Sequence, residues 1–216
     1  MVTALEQIGG AAALDFANTR EGDPEPEHLH GYGDVVAWAA HSGVIDAPTA
    51  RRLARAARGG AAERAFERAL RLRAAIDATF RALAAGAEPP TEALAAIAAF
   101  EADAIAHGRL IPAPPVGHDR GSSGDDSGSS GGDAPPPRFE WAWGGEELDR
   151  VLWPVAHSAV DLLRDGPLDR LKTCHVCPWL FLDLSRNRSR RWCSMNECGG
   201  RDKMRRYRAR RATAGR

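Results

Sequence analysis

Four cysteines, Cys174, Cys177, Cys193 and Cys198, fall close together in a 216-residue chain that has no other cysteine. They form a C-x-x-C pair and a C-x-x-x-x-C pair separated by fifteen residues. Two thiol pairs at this separation suit one tetrahedral zinc ion, because each short pair turns two sulfurs towards one point. The rival chemistry is a redox C-x-x-C. The second pair and the lack of a surrounding βαβ pattern count against it. Four protein ligands leave no open coordination position, so the ion is expected to hold the fold and not to activate water. His175, inside the first pair, is expected to point away from the ion.

Cationic side chains crowd around these thiols. Arg186, Arg188, Arg190 and Arg191 lie between the pairs. Arg201, Lys203, Arg205, Arg206, Arg208, Arg210 and Arg211 follow the last cysteine. From Asp169 onward the chain carries 14 Lys and Arg against 4 Asp and Glu, while residues 1–168 carry 15 against 25. A net charge of zero thus hides an acidic body and a basic tail, the split expected of a polyanion-binding segment. Arginine outnumbers lysine, which favours bidentate contact with phosphate or guanine. A cationic helix on a small rigid module suits phosphate contact and entry into the DNA major groove. Those eleven residues are the expected nucleic-acid contacts.

The elements that must position these groups are mostly helical. Residues 47–107 contain 24 alanines in 61, and alanine is the best helix former. Phe66, Leu70, Leu72, Ile76, Phe80 and Leu83 recur near one helical face, and Gly86 with Pro89-Pro90 ends that helix. Thr91 is the expected cap of a second helix through Ile105. Asp34 is the expected cap of an earlier one containing Trp38. Leu148, Leu152, Val155, Ala159 and Leu162 mark a helix over 145–165, with a kink or restart at Pro154. RFEWAW (138–143) alternates as a strand does and is expected to pair with 109–116. Residues 117–137 are almost entirely Gly, Ser, Asp and Pro, a composition expected to be disordered. Between the cysteine pairs, Trp179, Phe181 and Trp192 around the polar turn 185–189 suggest a hairpin. Met204 and Tyr207 are expected to pack over those aromatics.

The segment from Cys174 to Arg210 resembles the CGNR zinc finger, a family named for a Cys-Gly-Asn-Arg signature and usually found C-terminal to an ABATE domain. LDFANT (Leu14–Thr19), followed by a helix with Trp38, is similar to the start of ABATE domains. The resemblance implies a helical domain with a small sheet, joined to a zinc module, in a bacterial transcription regulator. One position departs from it: Gly200 stands where the signature has Asn. The expected fold class is mainly α with a small β-hairpin, or α+β. It comprises an ABATE-like domain over 1–168, with the insertion at 117–137, and a treble-clef-like zinc finger over 169–216.

Function classes narrow accordingly. No apolar run approaches the roughly 18 residues of a spanning helix, and the first residues have no basic signal-peptide region. The expected location is the cytoplasm. No arrangement of residues makes a catalytic centre. The G-x-S-x-G string at 128–132 sits in low complexity without a strand–turn–helix context, so no enzyme is expected. Asp15, Asn18 and Arg20 could line an effector pocket, although Asp15 and Asn18 also suit a backbone-bonding role. The expected function is a DNA-binding transcriptional regulator with structural zinc, an unidentified small-molecule effector and a homodimeric state. The alternative is a zinc-dependent interaction adaptor or RNA binder.

Overall fold

A computed structural model of the protein describes residues 2–20, 27–113 and 138–214. Helices α1 (Ala12–Ala17), α2 (Tyr32–His41), α3 (Ala47–Ala56), α4 (Gly59–Ala84) and α5 (Thr91–His107) precede a two-stranded antiparallel sheet. Its strands are β1 (Gly108–Pro112) and β2 (Phe139–Trp143). Helix α6 (Trp153–Asp165) follows, then a second antiparallel pair, β3 (Leu171–Thr173) and β4 (Leu180–Leu182), and last α7 (Gly200–Ala214). The Gly/Ser-rich stretch 117–137, with its G-x-S-x-G string, lies outside the described residues.

Alanine decides how closely the helices approach. The faces of α4 and α5 bury Ala65, Ala69, Ala75, Ala93 and Ala104 between larger residues such as Leu72, Ile76, Phe80, Ile97 and Phe100. Small side chains let helix axes approach while the large ones fill the remaining space. Helix α1 is short and nearly all buried, with Leu14 and Phe16 fully inaccessible and Phe16 packed on Trp38 at 4.8 Å between ring centroids. Its entry requires Gly10, whose φ of +85° is a conformation that side-chain-bearing residues rarely adopt, beside Leu182.

Two expected caps are corrected. Helix α2 begins at Tyr32 with Gly31 as its cap; Asp34 lies inside the first turn and accepts from the His30 N–H at 2.8 Å. Helix α5 is preceded by Pro90, and Thr91 is its first residue without a capping bond. In both cases the carboxyl or hydroxyl residue sits beyond the point where the backbone already turns helical. Asp46, not singled out in the sequence, caps α3, accepting from the Thr49 N–H at 2.7 Å. Pro154 marks a restart: a 3-10 turn over Leu148–Val151 gives way to α6 with the proline in its first turn, where its missing N–H has no helical partner to leave.

Strand β1 pairs with β2 in the expected segments, Gly108 opposite Trp143 and Pro112 opposite Phe139. The second hairpin is not where the aromatic alternation put it. Leu171 pairs with Leu182 and Thr173 with Leu180, so the strands flank the first cysteine pair. The C-x-x-C is itself the turn, closed by the Cys174 N–H donating to the Trp179 carbonyl at 2.9 Å. Segment 185–189 is a turn without flanking strands, and Trp192 belongs to none. Alternation around 185–189 misleads because the strand that pairs with β4 precedes the cysteines.

The main core does not stop at residue 168. Leu171, Leu180 and Leu182 are buried in the same cluster as Leu14, Phe16 and Ile76. A second cluster consists of Cys174, Trp179, Phe181, Cys193 and Cys198. Neighbouring residues of β4 thus serve opposite sides, Leu180 and Leu182 the helical body and Phe181 the thiols.

Candidate metal centre and basic helix

Each cysteine pair is held by a different local device. Cys174 and Cys177 sit on the turn between β3 and β4. Cys198 lies in a single π turn, Met195–Gly199, that runs directly into α7, and Cys193 lies just before it. Ser194 caps that turn, its Oγ accepting from the Glu197 N–H at 3.4 Å. A hairpin knuckle facing a helix start is a treble-clef-like arrangement.

The four sulfurs converge within 4.8 Å of one another. Cys177 and Cys193 are 3.4 Å apart, Cys198 and Cys177 3.5 Å, and Cys193 and Cys198 3.6 Å. A tetrahedron with Zn–S bonds of about 2.3 Å has edges of about 3.8 Å, so the cage fits one zinc ion. All four thiols are free. Hydrogen bonds from Cys177 and Cys193 hold the Cys174 thiol well below its ordinary pKa. The same partnership pushes Cys177 up to about 12 and raises Cys193 further. Burial raises Cys198. Thiolates packed this closely repel one another, and a divalent cation removes that penalty.

Asp183 anchors the basic turn, a role the sequence gives no sign of. It is fully buried, and burial opposes its ionisation. Lys172 Nζ at 2.6 Å, the Ser185 hydroxyl at 2.5 Å and the backbone N–H groups of Ser185 and Arg190 outweigh that cost. Its carboxyl is held well below the usual range.

The eleven candidate nucleic-acid residues divide. Arg190 belongs to the scaffold. It donates to the Trp192 and Cys193 carbonyls and stacks over Phe181 with its guanidinium carbon 5.0 Å from the ring centroid. That placement commits its Nε and one terminal nitrogen to the backbone around the cysteines, although the residue is only half-buried. Arg188 is ion-paired with Asp169, at a positive φ of 50°. Arg191 lies over Trp192 at 5.5 Å and beside His175, which is exposed as expected. Arg186 is exposed on the 185–189 turn.

Along α7, Arg201, Lys203, Arg205, Arg206, Arg208, Arg210 and Arg211 are all exposed. Arg205 and Arg206 also pair with the buried Asp202, at 2.8 and 3.2 Å. A carboxylate in the first helical turn is stabilised by the helix dipole. Arg201, Met204, Arg205 and Arg208 follow the i, i+3, i+4, i+7 spacing of one helix face. They line a shallow groove of about 650 Å³ with Asn196 and Glu197. Met204 and Tyr207 do not cover the aromatics; they are 51% and 54% exposed, and Tyr207 instead receives Arg211. Neither the Met204 nor the Tyr207 side chain is among the residues packed against the cluster of Trp179, Phe181 and the cysteines. Gly200 is a helical residue, with φ −61° and ψ −48°, and a Cβ there would meet nothing within 4 Å. An Asn at this position would fit the backbone.

Among the described residues, Asp15 and Asn18 are bonded to backbone groups and are not in the lining of the cavity that Arg20 borders. Asn18 is buried and bonds the backbone of Leu180; Asp15 accepts from the Gly9 N–H at 2.8 Å. Burial pushes the Asp15 carboxyl up to about 6. Arg20 alone faces a space of about 280 Å³, with Arg73, Asp77, Arg81 and Pro178 among its walls. Arg81 crosses from α4 to donate to the Pro178 carbonyl at 2.9 Å, beside the first cysteine pair.

Residues 10–166 match the family model ABATE, described as a putative stress-induced transcription regulator, and residues 170–211 match the CGNR zinc finger. No curated protein matches the chain. Among the described residues no helix is long and apolar enough to cross a membrane. The family match and the four-thiol cage together identify a structural zinc site. The chain belongs to the ABATE family and carries a CGNR zinc finger.

Proposed function

We propose that the protein is a DNA-binding transcriptional regulator in which Cys174, Cys177, Cys193 and Cys198 hold one structural zinc. The observation that carries this reading is the exposed cationic face of α7, which begins two residues after a cysteine of the cage. The zinc fixes the first turn of the helix, and the body, residues 1–168, holds the finger in place through β3 and β4. Arg201, Arg205 and Arg208 present a continuous face to the duplex, with Lys203, Arg206, Arg210, Arg211, Arg186 and Arg191 reaching flanking phosphates. Arginine forks on phosphate set orientation, and contacts to base edges supply any sequence preference. No catalytic role is assigned.

A mobility-shift titration of the zinc-loaded chain on duplex DNA tests this. Binding should be clear at low salt, and the logarithm of the association constant should fall linearly with log salt, because each neutralised phosphate releases counterions. No shift with any duplex at low salt would overturn the reading. Binding restricted to RNA, or to an acidic protein, would replace it with the adaptor function.

A further inference from the structure

A second surface of the molecule has the opposite charge. A groove of about 680 Å³ lies between β2 and α6. Phe139, Trp141 and Trp143, alternate residues of β2, form one wall. The Trp141 and Trp143 rings lie 6.4 Å apart and within 20° of parallel, which makes a broad flat face. From α6 come His157, Asp161 and Asp165, each one turn beyond the last. Glu140 also borders it, and neither Lys nor Arg is among the lining residues.

Among the described residues no Lys or Arg pairs with these carboxylates. Asp161 reaches only the His157 ring, at 3.4 Å, and Glu140 and Asp165 pair with no cation among the described residues. Behind His157 stands Glu101, 8% exposed, with one oxygen 2.7 Å from the ring and the other without a partner. The groove therefore combines a negative rim with aromatic faces that attract organic cations. It is not built for a metal ion: among the described residues only the four cysteines converge as a ligand group. Residues one helical turn apart have Cβ atoms about 5–6 Å from each other, so Asp161 and Asp165 project from neighbouring points of one helix face. That spacing suits two ammonium groups joined by a short methylene chain.

We propose that this groove binds an aliphatic polyamine, its ammonium groups on Asp161 and Asp165 and its methylenes against Trp141 and Phe139. Leu182, at the edge of the groove, belongs to the hairpin that carries the first cysteine pair, so the ligand abuts the strand that supports the metal centre. The site is independent of DNA contact by α7.

Calorimetric titration of the intact zinc-loaded chain with spermidine, at low salt and without DNA, provides the test. Saturable binding is expected. Asp161→Asn with Asp165→Asn should weaken it about tenfold, and Trp141→Leu should weaken it several-fold. Both aspartates are exposed, so the double variant should keep its zinc content and melting curve. Equimolar magnesium should not displace spermidine. Absence of saturation, equal affinity in the double variant, or displacement by equimolar magnesium would overturn the proposal. Preference for an arginine-rich peptide over spermidine would do the same, by making the groove a protein-docking surface.

Discussion

Asn18 and Leu180 exchange two hydrogen bonds: the Asn18 amide donates to the Leu180 carbonyl and its Oδ1 accepts from the Leu180 N–H, both at 2.8 Å. One buried side chain on the turn after α1 thereby completes the edge of β4, the strand that follows the first cysteine pair. Replacing it by Ala leaves a buried donor and a buried acceptor unsatisfied. Asn18→Ala should cost about 2–4 kcal/mol. Urea unfolding would measure this, and a destabilisation below about 1 kcal/mol would mean that water substitutes for the amide.

Removing a thiol should empty the cage. Cys174→Ser and Cys198→Ser should each lower bound zinc from about one per chain to nearly none. Because Leu171, Leu180 and Leu182 lie in the body's core, the melting temperature should fall for the whole chain while most of the helix signal persists. Metal analysis and circular dichroism on the same samples check both parts. A chelator added to the wild type should reproduce the effect.

Arginines on α7 should act on binding without affecting folding. Arg201→Gln, Arg205→Gln and Arg208→Gln together should keep zinc, weaken DNA binding, and reduce the salt slope by about 0.9 for each phosphate that is no longer neutralised. Arg190→Gln should behave differently. It removes donors to the Trp192 and Cys193 carbonyls, so it should lower stability and zinc retention first. Matching behaviour in the two sets would move the DNA-binding surface off α7.

Acid titration should reveal Asp15. Burial raises its carboxyl from 3.8 to about 6 in the folded state, so the folded chain holds a proton that the unfolded chain has released. Its contribution to stability is full below about pH 4 and disappears as pH rises through 6. Asp183 works in the opposite sense: its lowered carboxyl stabilises above pH 4, and the benefit fades as the solution is acidified further. Asp15→Asn should therefore flatten the stability profile between pH 4 and 6 and raise stability at pH 7 by about 1–3 kcal/mol. Denaturant melts across that range, compared with wild type, give the difference directly.

Restoring the signature residue should be structurally harmless. Gly200→Asn places a side chain in open space on a helical backbone, where Asn is a somewhat better helix former than Gly. Stability should rise by a few tenths of a kcal/mol with zinc content unchanged. A rise in DNA affinity would assign the missing Asn a contact, whereas a drop in zinc content would contradict the helical placement.

The metal centre was legible from residue order because thiol chemistry is local: C-x-x-C and C-x-x-x-x-C limit where the sulfurs can go whatever surrounds them. The long helices were legible for a similar reason, since the alanine content of 47–107 and the spacing of Leu72, Ile76 and Phe80 act within one element. The β1–β2 pairing followed from the strand alternation of 138–143 and its place across a Gly/Ser-rich segment from 109–116. Roles set by distant partners were not legible. Asp183 looks like any surface aspartate until Lys172, Ser185 and Arg190 close around it. Arg190 is indistinguishable from Arg191 in sequence, yet one is turned inward on Phe181 and the other lies outside. The groove beside Trp141 exists only because β2 and α6, separate in the chain, lie side by side. Short-range spacing determined which groups could bind a metal and which stretches could coil. Tertiary packing decided which charges were buried, which were paired and which stayed exposed, because the cost of desolvating a charge depends on everything folded around it.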